Sequence, residues 1–420
     1  MNVYNKFTRQ ALLNLTIVAA AGVLLRYKIL FSLPFFDYKN LLHAHSHFAF
    51  SGWISLALFI SITAAIANYA SISISVYTRL FILAQVAAFG MLLTFPFMGY
   101  KAPSIAFSTL SIFFSYGFTW FAWKDMNRSK LSKIVIAYFK AALFFYALSS
   151  LGAFNLAWLM ASKNGDQHWY IGSIYFFLHF QYNGWFLFAI LGLFFYQLER
   201  LGVVFNKNRA RTIFWLLAVS CVPAFLLSAL WMQLPQWLYL IAVAAALIQV
   251  FAIALLLKFI APLYKVLRRQ LLPATRVLWL FALIALTAKF VLQALSTIPS
   301  LSHFAFGYRP VVIGYLHLIF LGFATFFIIG YKLQQQLFPA VRVSRTGLVL
   351  FVSGALLNEL FLLITGIAAI EYTGVPVINY FLLAAAVIMF TGAALMTGKL
   401  WQNQPAAFTH LYDQKIKMVH

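Results

Sequence analysis

Runs of about 20 apolar residues with almost no charge recur along this 420-residue chain, and few folds can hold them. A soluble domain cannot bury so much: the chain is 64% hydrophobic and only 9% charged. In a bilayer each run closes its own backbone hydrogen bonds as a helix. Twelve runs stand at roughly 10–33, 42–66, 79–99, 104–123, 134–161, 170–197, 211–233, 236–259, 276–297, 310–331, 346–369 and 377–399. The expected fold is an all-α integral membrane protein, a single membrane domain over 1–420. The first run follows Lys6 and Arg9 and lacks a small-residue cleavage site, so it reads as helix 1 and not as a removable signal peptide.

The net charge of +23 invites a nucleic-acid reading, which the distribution of charge refutes. With the amino terminus taken as cytoplasmic, the inner loops and termini hold 22 of the 30 Lys and Arg residues. Lys124, Arg128, Lys130 and Lys133 share one such loop, and Lys265, Arg268, Arg269 and Arg276 another. Six lie in outer loops (Arg26, Lys28, Lys39, Lys101, Lys163 and Arg309), and Lys140 and Lys289 fall inside runs. This is a positive-inside pattern with both termini cytoplasmic. The basicity reports topology and contact with anionic lipid, and no nucleic-acid partner is expected. The single cysteine, Cys221, lies in an apolar run, which excludes disulfides and thiolate metal sites and predicts a buried thiol.

A short motif returns three times. His47-Phe-Ala-Phe-Ser-Gly-Trp53 is followed 132 residues later by His179-Phe-Gln-Tyr-Asn-Gly-Trp185 and, 138 further on, by His317-Leu-Ile-Phe-Leu-Gly-Phe323. Twelve helices over three copies make four helices per unit, with units at approximately 1–130, 131–270 and 271–420. The marked histidines then fall on helices 2, 6 and 10, each entering from the outside. At about 1.5 Å rise per residue they lie roughly 8–14 Å below the outer surface. Intramembrane histidines are costly, so one per unit at equal depth points to a site, although a lone histidine bonded to a neighbouring helix is common.

Helix 2 adds two more in His43-Ala-His45-Ser-His47. His43 and His47 share a face at i, i+4, while His45 points roughly the opposite way. Either His43 and His47 chelate one metal, or one histidine ligates a haem and the others serve its periphery or a second site. Neutral imidazole is the commonest metal ligand, and no carboxylate or thiolate competes nearby in sequence. Three histidines would satisfy zinc; a haem needs one or two axial ligands and an aromatic slot, for which Phe48, Phe50, Trp53, Phe180, Tyr182 and Trp185 are at hand.

On these motifs the chain resembles the catalytic subunit of the haem–copper oxidase and nitric oxide reductase superfamily. That fold has twelve helices in three arcs of four, both termini inside, and redox centres in the outer third of a membrane. Leu42-His43-Ala-His-Ser-His47 with Trp53 is similar to its helix 2, which supplies a low-spin haem ligand. Asp166-Gln-His168-Trp-Tyr170 running into His179-Phe-Gln-Tyr182-Asn183-Gly-Trp185 is similar to helix 6 of the nitric oxide reductases. Gly314-Tyr-Leu-His317 with Gly322-Phe is similar to helix 10. The resemblance implies a noncovalent b-type haem on His317 and one of His43, His45 or His47, with Arg309, Arg26 and Lys101 as propionate partners. It places His179, Tyr182 and Asn183 at a distal or second-metal position, for copper or iron. It also implies a bacterial inner membrane, a cytochrome-bearing or other respiratory partner, and electron transfer or the binding or reduction of nitric oxide or oxygen.

The chain departs from that pattern in three places. Helix 7 contains no histidine, helix 10 has one where the family has two, and Asn183 stands where the reductases place an iron-binding glutamate. These losses leave ligands for one haem and an incomplete second site near His179, which leaves the chain's standing as an oxidoreductase open. Glu359, beside Asn358 in helix 11, is a further functional candidate, because a buried carboxyl must be neutral or paired. Lys140 and Lys289 are candidates to pair with such a group. His168 and His303 fall in outer loops, and His410 and His420 in the cytoplasmic tail. No phosphate-binding glycine loop, nucleophile triad or CxxCH haem attachment is present. The alternatives are a metal-ion or small-molecule transporter with an intramembrane histidine site, which a threefold repeat fits poorly, and a metal-free structural subunit.

Overall fold

The structure is a computed structural model that describes residues 3–163, 165–336, 344–370 and 373–401. The side chain of His303, and His410 and His420 entirely, lie outside the described residues. Among those residues there are no strands, and twelve helices are long and apolar enough to cross a membrane. Spans 1–4 are Val3–Leu30, Tyr38–Ala67, Ile74–Met98 and Ala102–Arg128. Spans 5–8 are Lys133–Ala161, Gln167–Arg200, Lys207–Met232 and Gln236–Gln270. Spans 9–12 are Pro273–Leu295, Arg309–Gln334, Arg345–Ala369 and Ile378–Gly398.

Each matches one expected run, but several reach further, as where span 8 continues to Gln270. Helical turns bearing Lys and Arg carry on past the apolar core, their stems reaching back along it, so hydropathy fades before the helix does. Capping marks many of the starts. Asp37, Ser132, Asp166 and Asn206 accept backbone N–H bonds from the first turns of spans 2, 5, 6 and 7. Proline opens spans 4, 9 and 10, where its missing N–H costs nothing. A short helix, Pro299–Gly307, fills the connection between spans 9 and 10, which the apolar runs did not foretell.

Consecutive spans pack side by side, and span 12 closes back on span 1, where Thr16 and Thr397 bond through their hydroxyls at 2.8 Å. Spans 2, 6 and 10 meet one another inside this ring. Gly52–Thr63, His179–Leu198 and Gly322–Leu333 are accordingly buried on every side. Outer-ring side chains such as Leu93, Trp120, Val219, Leu247 and Leu363 are exposed, an apolar girdle that faces lipid. The histidine-bearing halves of spans 2 and 10 are only half-buried despite their central position.

The three central spans share a second departure from plain α-helix. Each becomes a π-helix just after its motif histidine, over Ala49–Ser55, Phe180–Phe186 and Leu318–Thr325. Bonding i→i+5 is rare and concentrates at functional sites. Span 7 is irregular in the opposite sense: after Cys221 it tightens into a 3₁₀ helix, Pro223–Met232. Pro223 has no N–H for the ladder, and Phe225 donates to Val222 and not to Cys221.

Spans 11 and 12 approach most closely through glycine. A Cβ on Gly354 would lie 2.6 Å from the Met389 nitrogen, and one on Gly392 would strike the Phe351 backbone. Gly392→Ala is expected to destabilise by about 1–3 kcal/mol, because backbone cannot yield as a side chain does. A lowered unfolding midpoint in detergent, with no gain from Gly374→Ala as control, would bear this out.

Candidate functional site

The histidines of the three motifs do not converge on a point. Among the described residues no three His, Cys, Asp or Glu side chains gather as a metal-holding group. The structure sorts them into three places, and the geometry of each decides what it can do.

The first place joins spans 2 and 10. His45 turns toward span 1 and bonds the Val18 carbonyl through Nδ1 at 3.1 Å, and among the described residues its Nε2 makes no hydrogen bond. Gly22 packs beside it, where a Cβ would sit at ordinary contact distance, 3.6 Å, from His45 Cε1. His317 does the same within its own helix, with Nδ1 bonded to the Ile313 carbonyl at 2.9 Å. Since a carbonyl can only accept, both rings carry their proton on Nδ1 and present the Nε2 lone pair. Metal-ligating histidines are held in this way, the outer nitrogen donating to a carbonyl or carboxylate. His45, Arg26 and His317 lie within electrostatic reach of one another, and Arg26 also reaches Glu359 and Tyr38. Asn358 donates to Glu359 at 3.2 Å, and Arg309 stacks on the Tyr38 ring at 4.9 Å. Arg26, Arg309, Tyr38 and Ile313 line a cavity of about 350 Å³ between spans 1, 2, 10, 11 and 12. Its size is at the lower end of small-molecule and cofactor pockets, about 300–1,000 Å³.

On the opposite face of span 2, His43 and His47 pack with Phe95 and Tyr100 beside span 3. The helical period that separates them from His45 was legible in the sequence; their aromatic neighbours were not.

The third place surrounds His179, which is fully buried and uses both ring nitrogens. Its Nε2–H donates to the Cys221 carbonyl at 2.8 Å, and Nδ1 accepts from the Asn183 amide at 3.0 Å. Asn183 Oδ1 in turn accepts from Lys289, whose Nζ lies 3.6 Å from the centre of the Phe290 ring. The tautomer follows from the acceptors at each end. Pro223 is the remote cause, since the 3₁₀ turn it imposes releases the Cys221 carbonyl from the helix ladder. A metal on His179 would have to break one of these bonds. Cys221 is buried as expected, its thiol 3.6 Å from the Asn183 carbonyl oxygen. Tyr182 stands nearby, bonded through its hydroxyl to Ser228 and Tyr315.

Trp53 and Trp185 lie deeper and brace the central spans. Trp53 donates to Thr325 at 2.9 Å and Trp185 to Ser55 at 3.1 Å. In motif terms, the tryptophan six residues after one histidine bonds the hydroxyl eight residues after another. The third link of that cycle would join Phe323 to Leu187, both apolar, and there a void of about 10 Å³ opens beside Lys289 and Tyr182. It has room for at most one water. Trp53→Phe is expected to cost about 1 kcal/mol by stranding the Thr325 hydroxyl. Unfolding in mixed detergent micelles should register the loss, and an unchanged midpoint would deny the brace.

Lys140 bonds Asn127 at 2.6 Å and His168 stacks on Trp231, so neither joins a site. The hydroxyls of Ser55 and Thr325 and the Cys221 carbonyl went unread in the sequence, although the spacing from each histidine and the proline in span 7 were there to be seen. Compared with protein-family models and with curated proteins, the chain gives no match.

Proposed function

We propose that this chain is a haem-binding membrane protein of electron transfer, diverged from the catalytic subunits of the haem–copper oxidases and nitric oxide reductases. One observation carries the reading. His45 and His317 stand within electrostatic reach of each other and of Arg26, which lines the cavity, each with Nδ1 tied to a backbone carbonyl and Nε2 without a hydrogen bond among the described residues. His45 is therefore the helix 2 residue that would hold the group together with His317, and Arg26 and Arg309 at the cavity wall suit two haem propionates. With no CxxCH sequence the group is held noncovalently, as b-type haem. When bound, it supplies one-electron redox chemistry.

The residues around it have separable tasks. His45 and His317 would both hold the group, and two protein ligands favour electron transfer over the binding or reduction of nitric oxide or oxygen. Val18 and Ile313, through their carbonyls, fix the imidazole orientation and raise ligand basicity. Glu359, facing Arg26, balances charge near the cavity. The relay from Lys289 to Cys221 occupies the region where relatives would hold a second copper or iron, and the reading includes no binuclear centre. Three π-helical turns after equivalent histidines, with the tryptophan links between them, support three related four-helix units. The charge asymmetry supports cytoplasmic termini, in a bacterial inner membrane. An electron donor or acceptor, such as a cytochrome-bearing subunit, completes the assignment.

The test is a dithionite-reduced minus oxidised spectrum of the detergent-purified protein. A sharp Soret band with α and β bands is the expected result. A featureless trace after expression with ample haem would overturn the proposal.

A further inference from the structure

The haem reading uses one face of span 2 and leaves His43 and His47 without a task. Their rings lie one helical turn apart, with centroids 6.5 Å from each other. Tyr100 follows span 3 and stands against both, its ring 4.7 Å from His43 and its hydroxyl 3.3 Å from His47 Nε2. Gly99 brings it there, in a conformation with φ of +58° that a side chain would strain. A Cβ at Gly99 would also collide with Asn40, 2.6 Å away. Phe95 stacks on His47 at 4.7 Å and holds that ring in place.

One atom in this box has no counterpart. His43 Nε2 is buried and makes no hydrogen bond among the described residues. Leaving such a nitrogen unpaired costs about 1–3 kcal/mol. An occupant that bonds it removes that cost, and the neighbouring groups indicate which kind. Two imidazole nitrogens and a phenol oxygen form a donor set for a first-row transition metal and a poor one for magnesium or calcium. Asp37, within electrostatic reach of His43, offsets the nearby positive charge of Lys39. With metal–nitrogen bonds of about 2.0 Å, two imidazoles sharing an ion place their centroids roughly 5–6 Å apart. A small side-chain rotation closes the remaining gap.

We propose that His43 Nε2, His47 Nε2 and the Tyr100 hydroxyl form a binding site for one transition-metal cation of the copper and zinc class. Cu²⁺ is the tightest expected ligand, by the general order of divalent affinities. The site is separate from the His45 and His317 pair and stands or falls without it.

Tag-free full-length protein titrated with Cu²⁺ alone, and read by electron paramagnetic resonance, tests the assignment. The expected result is one specific Cu²⁺ per chain, with pulsed spectra showing two coordinated imidazoles. His43→Ala and His47→Ala should each weaken binding on the order of 100-fold, and Tyr100→Phe about tenfold. His45→Ala and His317→Ala should leave the copper signal unchanged. A wild-type spectrum with one imidazole or none would overturn the site. So would wild-type affinity in the His43→Ala, His47→Ala double variant. The pulsed measurement on the unaltered protein keeps the proposal falsifiable where a variant fails to fold.

Discussion

Alanine at His317 is expected to abolish the reduced-minus-oxidised haem spectrum, and alanine at His45 to do the same. Each ring offers, on a carbonyl-anchored imidazole, an Nε2 that makes no hydrogen bond among the described residues. Removing a residue that would hold the group strips away the bond itself, a larger loss than the 10–100-fold typical when only a supporting group is lost. His43→Ala and His47→Ala should retain the bands, because those rings face Phe95 and Tyr100 on the far side of span 2. His179→Ala should retain them too, though in a less stable protein. The set of five variants separates the readings. If His43→Ala or His47→Ala alone bleached the protein, the ligand would lie on the other face of span 2 and the cavity beside Arg26 would lose its role. A full spectrum in His317→Ala would end the assignment.

Lys289→Ala should be the most destabilising change in the buried polar centre, by roughly 3–5 kcal/mol. The side chain is 3% exposed, and its removal leaves a cavity in a packed interior, which for a long side chain costs about 2–5 kcal/mol. It also strands Asn183 Oδ1, a further cost of about 1–3 kcal/mol that does not add in full. Lys289→Met separates the two effects, since it keeps the stem and deletes only the donor. That variant should lose roughly 1–3 kcal/mol. An opposing effect bears on its sign: replacing a buried charged group with an apolar one of similar volume is often neutral or stabilising. Net loss is expected because Asn183 bridges Lys289 to His179, so losing the donor unsettles both links. Equilibrium unfolding in detergent is the measurement. A Met variant more stable than the parent would show that the lysine is kept for something other than stability.

Much of the architecture was written in local pattern. Twelve apolar runs became twelve spans because a bilayer accepts only segments that satisfy their own backbone. The division of His45 from His43 and His47 followed from helical period alone. The three motif histidines lie on spans 2, 6 and 10, which the structure places at the centre of the bundle.

The sorting of those histidines into different chemistries belonged to the tertiary structure. His179 looked as open to a metal as His317 by sequence, yet its nitrogens are taken by Asn183 and by a carbonyl that a proline 44 residues away releases. His45 differs from its neighbours because Val18 on span 1 anchors it within electrostatic reach of Arg26 and His317. Trp53 and Trp185 read as cofactor-slot aromatics and serve as cross-braces, since π-helical turns redirect them toward hydroxyls on other spans. Local sequence determines where a helix runs and which residues share its face, because backbone bonding and the 3.6-residue period are short-range. Which partner meets a side chain depends on packing between segments far apart in the chain, and that only the assembled bundle decided.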